Sequence, residues 1–184
     1  MILSEQKQNV RGIYWGRILA TIVGIIYFYN YATNPSEWHY IDGTNILIHE
    51  AGHVIFFLFG NFMTLAGGSI MQILIPSLFI YYFYNHGQFF SSSFLLFWLG
   101  QNLINISIYS GDAMSMQLPL LGGDGTIHDW NEMLQQLGLL SHTALISQSI
   151  YILGLILFAT ATILCLKFSF NREGYFFRQN ELHV

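Results

Sequence analysis

Residues 49 to 53 read His-Glu-Ala-Gly-His, and this run carries the residue types and spacing best suited to chemistry. Side chains four residues apart lie on one face of an α-helix, so the rings of His49 and His53 can bind a single tetrahedral metal ion. Glu50 projects about 100° away from His49, close enough to reach a water molecule on that ion. The run therefore predicts a hydrolytic zinc site in which Glu50 is the general base.

A catalytic zinc ion takes three protein ligands and a water molecule, so a third donor must come from elsewhere in the chain. The richest source is segment 118–130, a glycine-containing stretch with three candidate ligands, Asp124, His128 and Asp129. Asp112 is a fourth option. The structural alternatives are an ordinary turn at Asp124 and a helix cap at Asp129.

The same motif can also be interpreted without a metal. His49, Glu50 and His53 would then form a polar cluster between helices, hydrogen-bonded to one another and to Asn45. Apolar residues on both sides of the motif weigh against this interpretation, Ile-Leu-Ile before it and Val-Ile-Phe-Phe-Leu-Phe after it. Three ionisable groups in such surroundings are costly to bury.

The composition indicates that a lipid bilayer surrounds the chain. Of the 184 residues, 53% are hydrophobic and 9% are charged, and the mean hydropathy is +0.46. Soluble domains carry about 25% charged residues, so we expect an integral membrane protein. The net charge is −4 and no basic patch is present, which argues against nucleic acid as a partner. Cys165 is the single cysteine, so the sequence contains no disulfide framework.

The predicted fold is all-α, with residues 1–184 forming a single membrane-embedded domain. Five hydrophobic stretches are long enough to be membrane helices. They lie near residues 13–31, 41–60, 65–84, 87–111 and 143–166. A polar loop, 112–141, precedes the last stretch; it is glycine-rich and acidic, and it contains a short amphipathic helix at 130–139. A basic tail, 167–184, follows the last stretch.

The basic residues predict the topology. All six lysines and arginines lie before or within the first stretch or after the last, so the positive-inside rule puts both termini in the cytoplasm. Five full crossings would leave the termini on opposite faces. We therefore expect 41–60, 65–84 or 87–111 to be re-entrant or broken, or the segment around Pro119 to dip back. The two consecutive glycines and the proline of 65–84 make that stretch a candidate. The zinc site would then face the non-cytoplasmic side.

Two motifs together resemble those of the site-2 protease class of intramembrane zinc metalloproteases. The first is His-Glu-Ala-Gly-His in an apolar helix, and the second is Leu-Pro-x-x-x-x-Asp-Gly at 118–125. The resemblance implies a helical core in which the two histidines of the first motif and Asp124 bind zinc. It also implies that Glu50 is the general base and that the substrate is a membrane protein or peptide. Gly123 stands where that family has leucine, and the asparagine usual before the proline is absent.

The section 49–130 also resembles small bacterial membrane proteins of unassigned role, which share His-Glu-Ala-Gly-His and a later His-Asp-Trp. The second triplet stands at 128–130. This likeness favours His128 as the third ligand, with Asp129 as its orienting partner or as an alternative ligand, and it implies a bacterial inner membrane. A neutral imidazole would also leave zinc more Lewis acidic than a carboxylate would. Among the candidates we place His128 first, Asp124 second and Asp129 third.

Hydrolysis of a peptide bond is the reaction that this site predicts. Zinc lowers the pKa of its bound water toward ~7, and Glu50 takes the proton as the water attacks an amide carbonyl. Gln101, Asn102 and Asn105 could hydrogen-bond an unwound substrate, although bridges between neighbouring helices are the favoured interpretation of these amides.

Two other classes of function stay open. One is a non-catalytic membrane subunit with a structural metal, a haem or a polar packing site. The other is a zinc hydrolase that acts on non-peptide amides or esters. Glu50 separates a hydrolase from a haem protein, since a hydrolase needs this carboxylate and a haem site does not.

Overall fold

The computed structural model of the protein describes residues 13–119, 121 and 126–170. The regular structure within them is helical, which confirms the predicted all-α class. The helices are α1 (Trp15–Thr33), α2 (Tyr40–Phe56), α3 (Asn61–Asn85), α4 (Phe89–Gly111), α5 (Asp129–Gln136) and α6 (Thr143–Ser169). Short 3-10 turns at Phe57–Phe59 and Leu140–His142 precede α3 and α6. The five hydrophobic stretches lie on α1 to α4 and α6, the predicted short helix is α5, and the basic tail beyond residue 170 lies outside the described residues.

The start of α1, the start of α4 and the end of α6 lie together at one end of the bundle. The backbone N–H of Tyr14 donates to the carbonyl oxygen of Ser169 at 3.0 Å. The guanidinium group of Arg17 donates to the carbonyl oxygen of Phe168 at 2.8 Å. Phe89 stacks on the ring of Phe168, with centroids 5.4 Å apart. α1 and α4 therefore both lead away from this end.

α2 runs in the same direction as α1. α3 is antiparallel to α4, since Gln72 hydrogen-bonds Asn105 at one level and Ser92 hydrogen-bonds Ile80 at another. α2 is antiparallel to α3, because the two helices pack along each other and are joined by a short turn at 57–60. α2 is thus parallel to α4, and it continues away from the end where α1 starts.

The expected break is absent from 65–84 and 87–111, and stretch 41–60 leaves α-helix only near its end, at Phe56. α3 is an unbroken helix through Pro76, and α4 is unbroken as well. The interruption lies in the connection between α1 and α2. α1 stops there because Asn34 precedes a proline, whose ring disfavours helical backbone in the residue before it. The chain reverses direction from α2 to α3, from α3 to α4 and from α4 to α6. The end of α6 therefore lies beside the start of α1.

Glycines bring two pairs of helices into backbone contact. A Cβ atom built on Gly67 would lie 2.6 Å from the carbonyl oxygen of Gly52, and one built on Gly154 would lie 2.8 Å from that of Gly100. Real Cβ atoms essentially never approach other atoms closer than 3.0 Å. α2 therefore packs on α3, and α4 on α6, at a separation that glycine allows, as is common between membrane helices.

The hydrophobic core lies where α1, α4 and α6 meet. Phe28 and Phe97 stack with their ring centroids 5.1 Å apart, and Phe158 packs against both. Among the described helices, α3 and the stretch Leu140–Ser169 are the two that are long and apolar enough to cross a membrane, so two of the five predicted membrane stretches meet this criterion. The outward faces of α1 and α6 are apolar too, with exposed Leu19, Ile22, Val23, Ile26, Ile152, Leu153, Ile156 and Ile163.

Candidate metal centre

Three potential metal ligands converge on one point between α2 and α5. Nε2 of His49 and Nε2 of His53 each lie 3.3 Å from Oδ2 of Asp129. One ligand atom from each residue can be chosen so that all three lie within 4.8 Å of one another. α2 supplies both imidazoles from successive turns, and the first residue of α5 supplies the carboxylate.

The separation of 3.3 Å suits a shared metal ion. Two ligand atoms that each lie ~2.05 Å from a tetrahedral zinc ion are ~3.3 Å apart. Both distances from the carboxylate oxygen of Asp129 to the imidazoles have this length. Two histidines and one aspartate leave a fourth position open, as in the catalytic zinc sites of many hydrolases.

Hydrogen bonds on the far side of each ring fix its tautomer. Nδ1 of His53 lies 2.8 Å from the backbone carbonyl oxygen of Thr64, and Nδ1 of His49 lies 2.9 Å from Oε1 of Gln72. Carbonyl oxygens only accept, so both Nδ1 atoms carry the hydrogen of the neutral ring. Each Nε2 then faces Oδ2 of Asp129, either as a protonated donor to the carboxylate or, with the ring neutral, as a lone pair that can bind a metal ion. The two rings and the carboxylate can therefore share either protons or a metal ion.

Asp129 is held in its ionised form. Burial acts to raise the pKa of its carboxyl group, but the hydrogen bonds from His49 and His53 outweigh this effect and lower the pKa to about 2. The side chain is therefore a carboxylate at neutral pH, as a metal ligand must be.

A buried amide network orients the ring of His49. Gln72, which accepts from His49, donates through Nε2 to Oδ1 of Asn105 at 2.9 Å and to Oδ1 of Asn102 at 3.4 Å. A Cβ atom on Gly68 would lie closer than 3.0 Å to the imidazole of His49, so this ring packs directly on the backbone of α3. The Gly67-Gly68 pair thus serves the approach of α2 to α3.

The other predicted polar residues of α4 mainly bridge helices. Gln101 is fully buried; its Oε1 accepts from Asn45 at 2.6 Å and its Nε2 donates to Asp42 at 3.0 Å. Asn102 is fully buried between α3 and α4, whereas Asn105 lines the cavity described below. Asn45, the expected partner of the motif in a metal-free cluster, bonds Gln101 and the indole of Trp98.

His128, ranked first as third ligand, lies outside the group of three. Its Nδ1 accepts from the backbone N–H of Asn131 at 3.2 Å, so its side chain caps the N-terminus of α5. Its Nε2 lies 3.4 Å from Oδ2 of Asp112, and its side chain is 2% exposed. Asp124, ranked second, lies outside the described residues. Asp129, ranked third, is the candidate that the structure places beside both imidazoles.

Each residue of the His-Asp-Trp triplet has a separate contact. His128 caps α5, Asp129 faces the imidazoles, and the indole N–H of Trp130 donates to the hydroxyl of Ser69 on α3 at 3.1 Å. The amide of Asn131 donates to the carbonyl oxygen of Ala113 at 2.6 Å. These bonds hold the first turn of α5 against α3 and the end of α4.

Tyr109 is a site residue that the sequence analysis missed. Its hydroxyl donates to Oδ2 of Asp129 at 3.1 Å and accepts from the backbone N–H of Asp129 at 3.1 Å. The available signal was its position, since Gln101, Asn105 and Tyr109 recur every four residues along one face of α4. Gln72 was also missed, although it shares α3 with the glycine pair.

A cavity of about 740 Å³ opens beside the three ligand atoms. Its wall includes the three candidate ligands, Tyr109 and Glu50, whose side chain is exposed. No residue that the structure describes forms a hydrogen bond or ion pair with the carboxylate of Glu50. Segment 35–38 between α1 and α2 lines one side, and Ile127 and its neighbours line another. The cavity has the size of sites that bind small molecules or short peptide segments.

Comparison with known protein families, with curated proteins and with solved structures finds no match to this chain. Its likeness to the site-2 proteases therefore rests on the sequence motifs.

Proposed function

We propose that the protein is a zinc-dependent, membrane-embedded hydrolase of the site-2 protease type, which cleaves peptide bonds in a membrane-associated substrate. His49, His53 and Asp129 are the proposed ligands and Glu50 is the proposed general base. One observation carries the proposal: two imidazoles whose Nδ1 atoms are hydrogen-bonded to carbonyl oxygens place their Nε2 atoms 3.3 Å from a single carboxylate oxygen. A divalent cation satisfies all three groups at once.

The residues around the site suit hydrolysis. A zinc ion bound there supplies a Lewis acid that acidifies a water molecule to a pKa of ~7 and polarises a substrate carbonyl. Glu50 lies on the cavity wall next to His49 with no described partner, so its carboxylate is available to take the proton of the attacking water. The same group then returns the proton to the amine that leaves. This second role of Glu50 lets the C–N bond break without expelling an amide anion.

Several features support a position in the bilayer. Two helices are long and apolar enough to cross it, the outward faces of α1 and α6 are apolar, and helices meet through glycines. Arg17 and Lys167 lie at the end of the bundle where α1 starts and α6 ends, so the positive-inside rule orients that end to the cytoplasm. Tyr109 lies near the opposite end of α4, which puts the metal centre toward the non-cytoplasmic face. A bacterial inner membrane is the proposed location.

Metal analysis and cleavage assays on the detergent-purified protein test the proposal. The wild type should contain about one zinc ion per chain and cleave members of a panel of transmembrane peptides, read by mass spectrometry. His49→Ala should lose the metal, whereas Glu50→Gln should keep the metal and lose cleavage. His86→Ala is the matched control, because the exposed imidazole of His86 bonds Tyr82 of its own helix and, among the described residues, no candidate ligand. A wild type without zinc, or His49→Ala with full zinc, would overturn the proposal; cleavage of esters or non-peptide amides alone would overturn the peptidase assignment.

A further inference from the structure

We propose that Tyr109 is a positioning residue of the metal centre, whose hydroxyl holds the carboxylate of Asp129 so that one oxygen, Oδ2, binds the metal. The inference rests on the proposed function, because it assigns Asp129 as a ligand. It adds a residue of α4 to a site otherwise built from α2 and α5.

The hydroxyl of Tyr109 makes two bonds to the same residue. It accepts from the backbone N–H of Asp129 and donates to the side chain of Asp129, each at 3.1 Å. The first bond fixes where α5 begins, and the second fixes the rotation of the carboxylate. An aspartate side chain has two rotatable bonds, so a ligand oxygen without such support can point in several directions.

The bond to Oδ2 also determines how the carboxylate can bind. A carboxylate oxygen has two acceptor sites. Oδ2 of Asp129 receives the hydroxyl of Tyr109 while it faces Nε2 of His49 and of His53. One lone pair of Oδ2 is therefore engaged by Tyr109 and the other is directed at the proposed metal position. This arrangement favours one metal bond from Oδ2 over binding through both carboxylate oxygens.

The ring of Tyr109 cannot easily move away from this position. Its centroid lies 4.4 Å from that of His128 and 5.7 Å from that of His49. Two imidazole rings thus contact the phenol, whose backbone belongs to α4. Tyr109 also lines the cavity, together with Asp129.

Tyr109→Phe tests the inference, because it removes the hydroxyl and keeps the ring. We expect zinc affinity, measured in competition with a fluorescent chelator, to fall about 10- to 100-fold, as for other residues that orient metal ligands. The absorption spectrum of the Co²⁺-substituted protein should also change, toward the weaker bands of a higher coordination number. Tyr151→Phe is the matched control, since it removes a hydroxyl bond of 2.9 Å to the carbonyl oxygen of Ala32, far along the chain from the ligands. This control should match the wild type in both readings.

The outcomes separate the inference from the proposed function. If Tyr109→Phe binds zinc and Co²⁺ as the wild type does, the positioning role of Tyr109 is wrong, but the proposed metal centre is not affected. If both tyrosine variants weaken zinc binding equally, the hydroxyl acts through the general fold, and the positioning role is again wrong. If the wild type itself binds no zinc, the proposed function fails and the inference falls with it.

Discussion

Replacing Gln72 with leucine removes the group that accepts the Nδ1–H of His49, and we predict a loss of zinc affinity. In the metal-free variant, where no acceptor faces Nδ1, the ring of His49 can carry its proton on Nε2 and donate it to the carboxylate of Asp129, which lies 3.3 Å away in the wild type. Metal binding at Nε2 returns the proton to Nδ1, which then faces leucine. Gln72 is 3% exposed, so water does not readily replace its amide. A buried donor without a partner costs about 1–3 kcal/mol, which corresponds to about 5- to 150-fold in affinity.

Competition with a fluorescent zinc chelator measures this loss directly. Gln72→Glu restores an acceptor at the same place and should bind zinc at least as tightly as the wild type. Gln101→Leu is the control, because it removes an equally buried amide that bonds Asn45 and Asp42 but no proposed ligand. The control should lower the unfolding temperature and leave the zinc affinity of the folded protein unchanged. Unchanged affinity in Gln72→Leu, or an equal loss in Gln101→Leu, would refute the reasoning.

Three further predictions concern packing, catalysis and pH. Gly52→Ala puts a methyl group against the α3 backbone and should lower the free energy of unfolding by about 1–3 kcal/mol in denaturant titrations. Gly43→Ala is the control, because a Cβ atom there has its nearest neighbour at 3.8 Å. Equal stability of the two variants would contradict the close contact. Glu50→Gln should keep zinc and slow single-turnover cleavage by about 10²- to 10⁴-fold, and loss of zinc would instead make Glu50 a ligand. Burial acts to raise the pKa of Asp112, but hydrogen bonds from the Ser115 hydroxyl and two backbone N–H groups lower it overall below 3.8. The carboxylate of Asp112 therefore stabilises the fold fully above that pH, and this stabilisation is lost in acid. Asp112→Asn should be less stable than the wild type at neutral pH, and the two unfolding free energies should become equal in acid. A difference that does not change with pH would count against this role.

Local sequence signals were enough to predict the long helices and the shared face of the two motif histidines. Residues four apart on any helix lie on one face, so the alignment of His49 and His53 needs no knowledge of the fold. The direction of α2 could not be predicted from such local signals. Asn34, placed before a proline, marks the end of α1, but it does not determine whether the chain turns back. The direction of the chain after α1 depends on contacts between helices, such as the hydrogen bond of 3.1 Å from Tyr31 on α1 to Asp42 on α2.

From the sequence, the candidates for a third ligand could be limited to one segment but not to one residue. His128 and Asp129 are neighbours at the start of a helix, so their side chains diverge, and the docking of α5 decides which one faces α2. This docking depends on contacts with α3 and α4 that no local pattern encodes. The contacts of Gln72 with His49 and of Tyr109 with Asp129 depend on the same packing. Asp124 lies outside the described residues, and its role stays a prediction from the motif.

The zinc content of Asp129→Ala, measured beside that of His128→Ala, tests the central claim most directly. The two substitutions remove adjacent candidate ligands at the start of the same short helix, His128 as its cap and Asp129 as its first residue. If Asp129 is the third ligand, the wild type and His128→Ala should contain about one zinc ion per chain by mass spectrometry, and Asp129→Ala should contain far less. Full zinc in Asp129→Ala together with loss of zinc from His128→Ala would contradict the proposed metal centre.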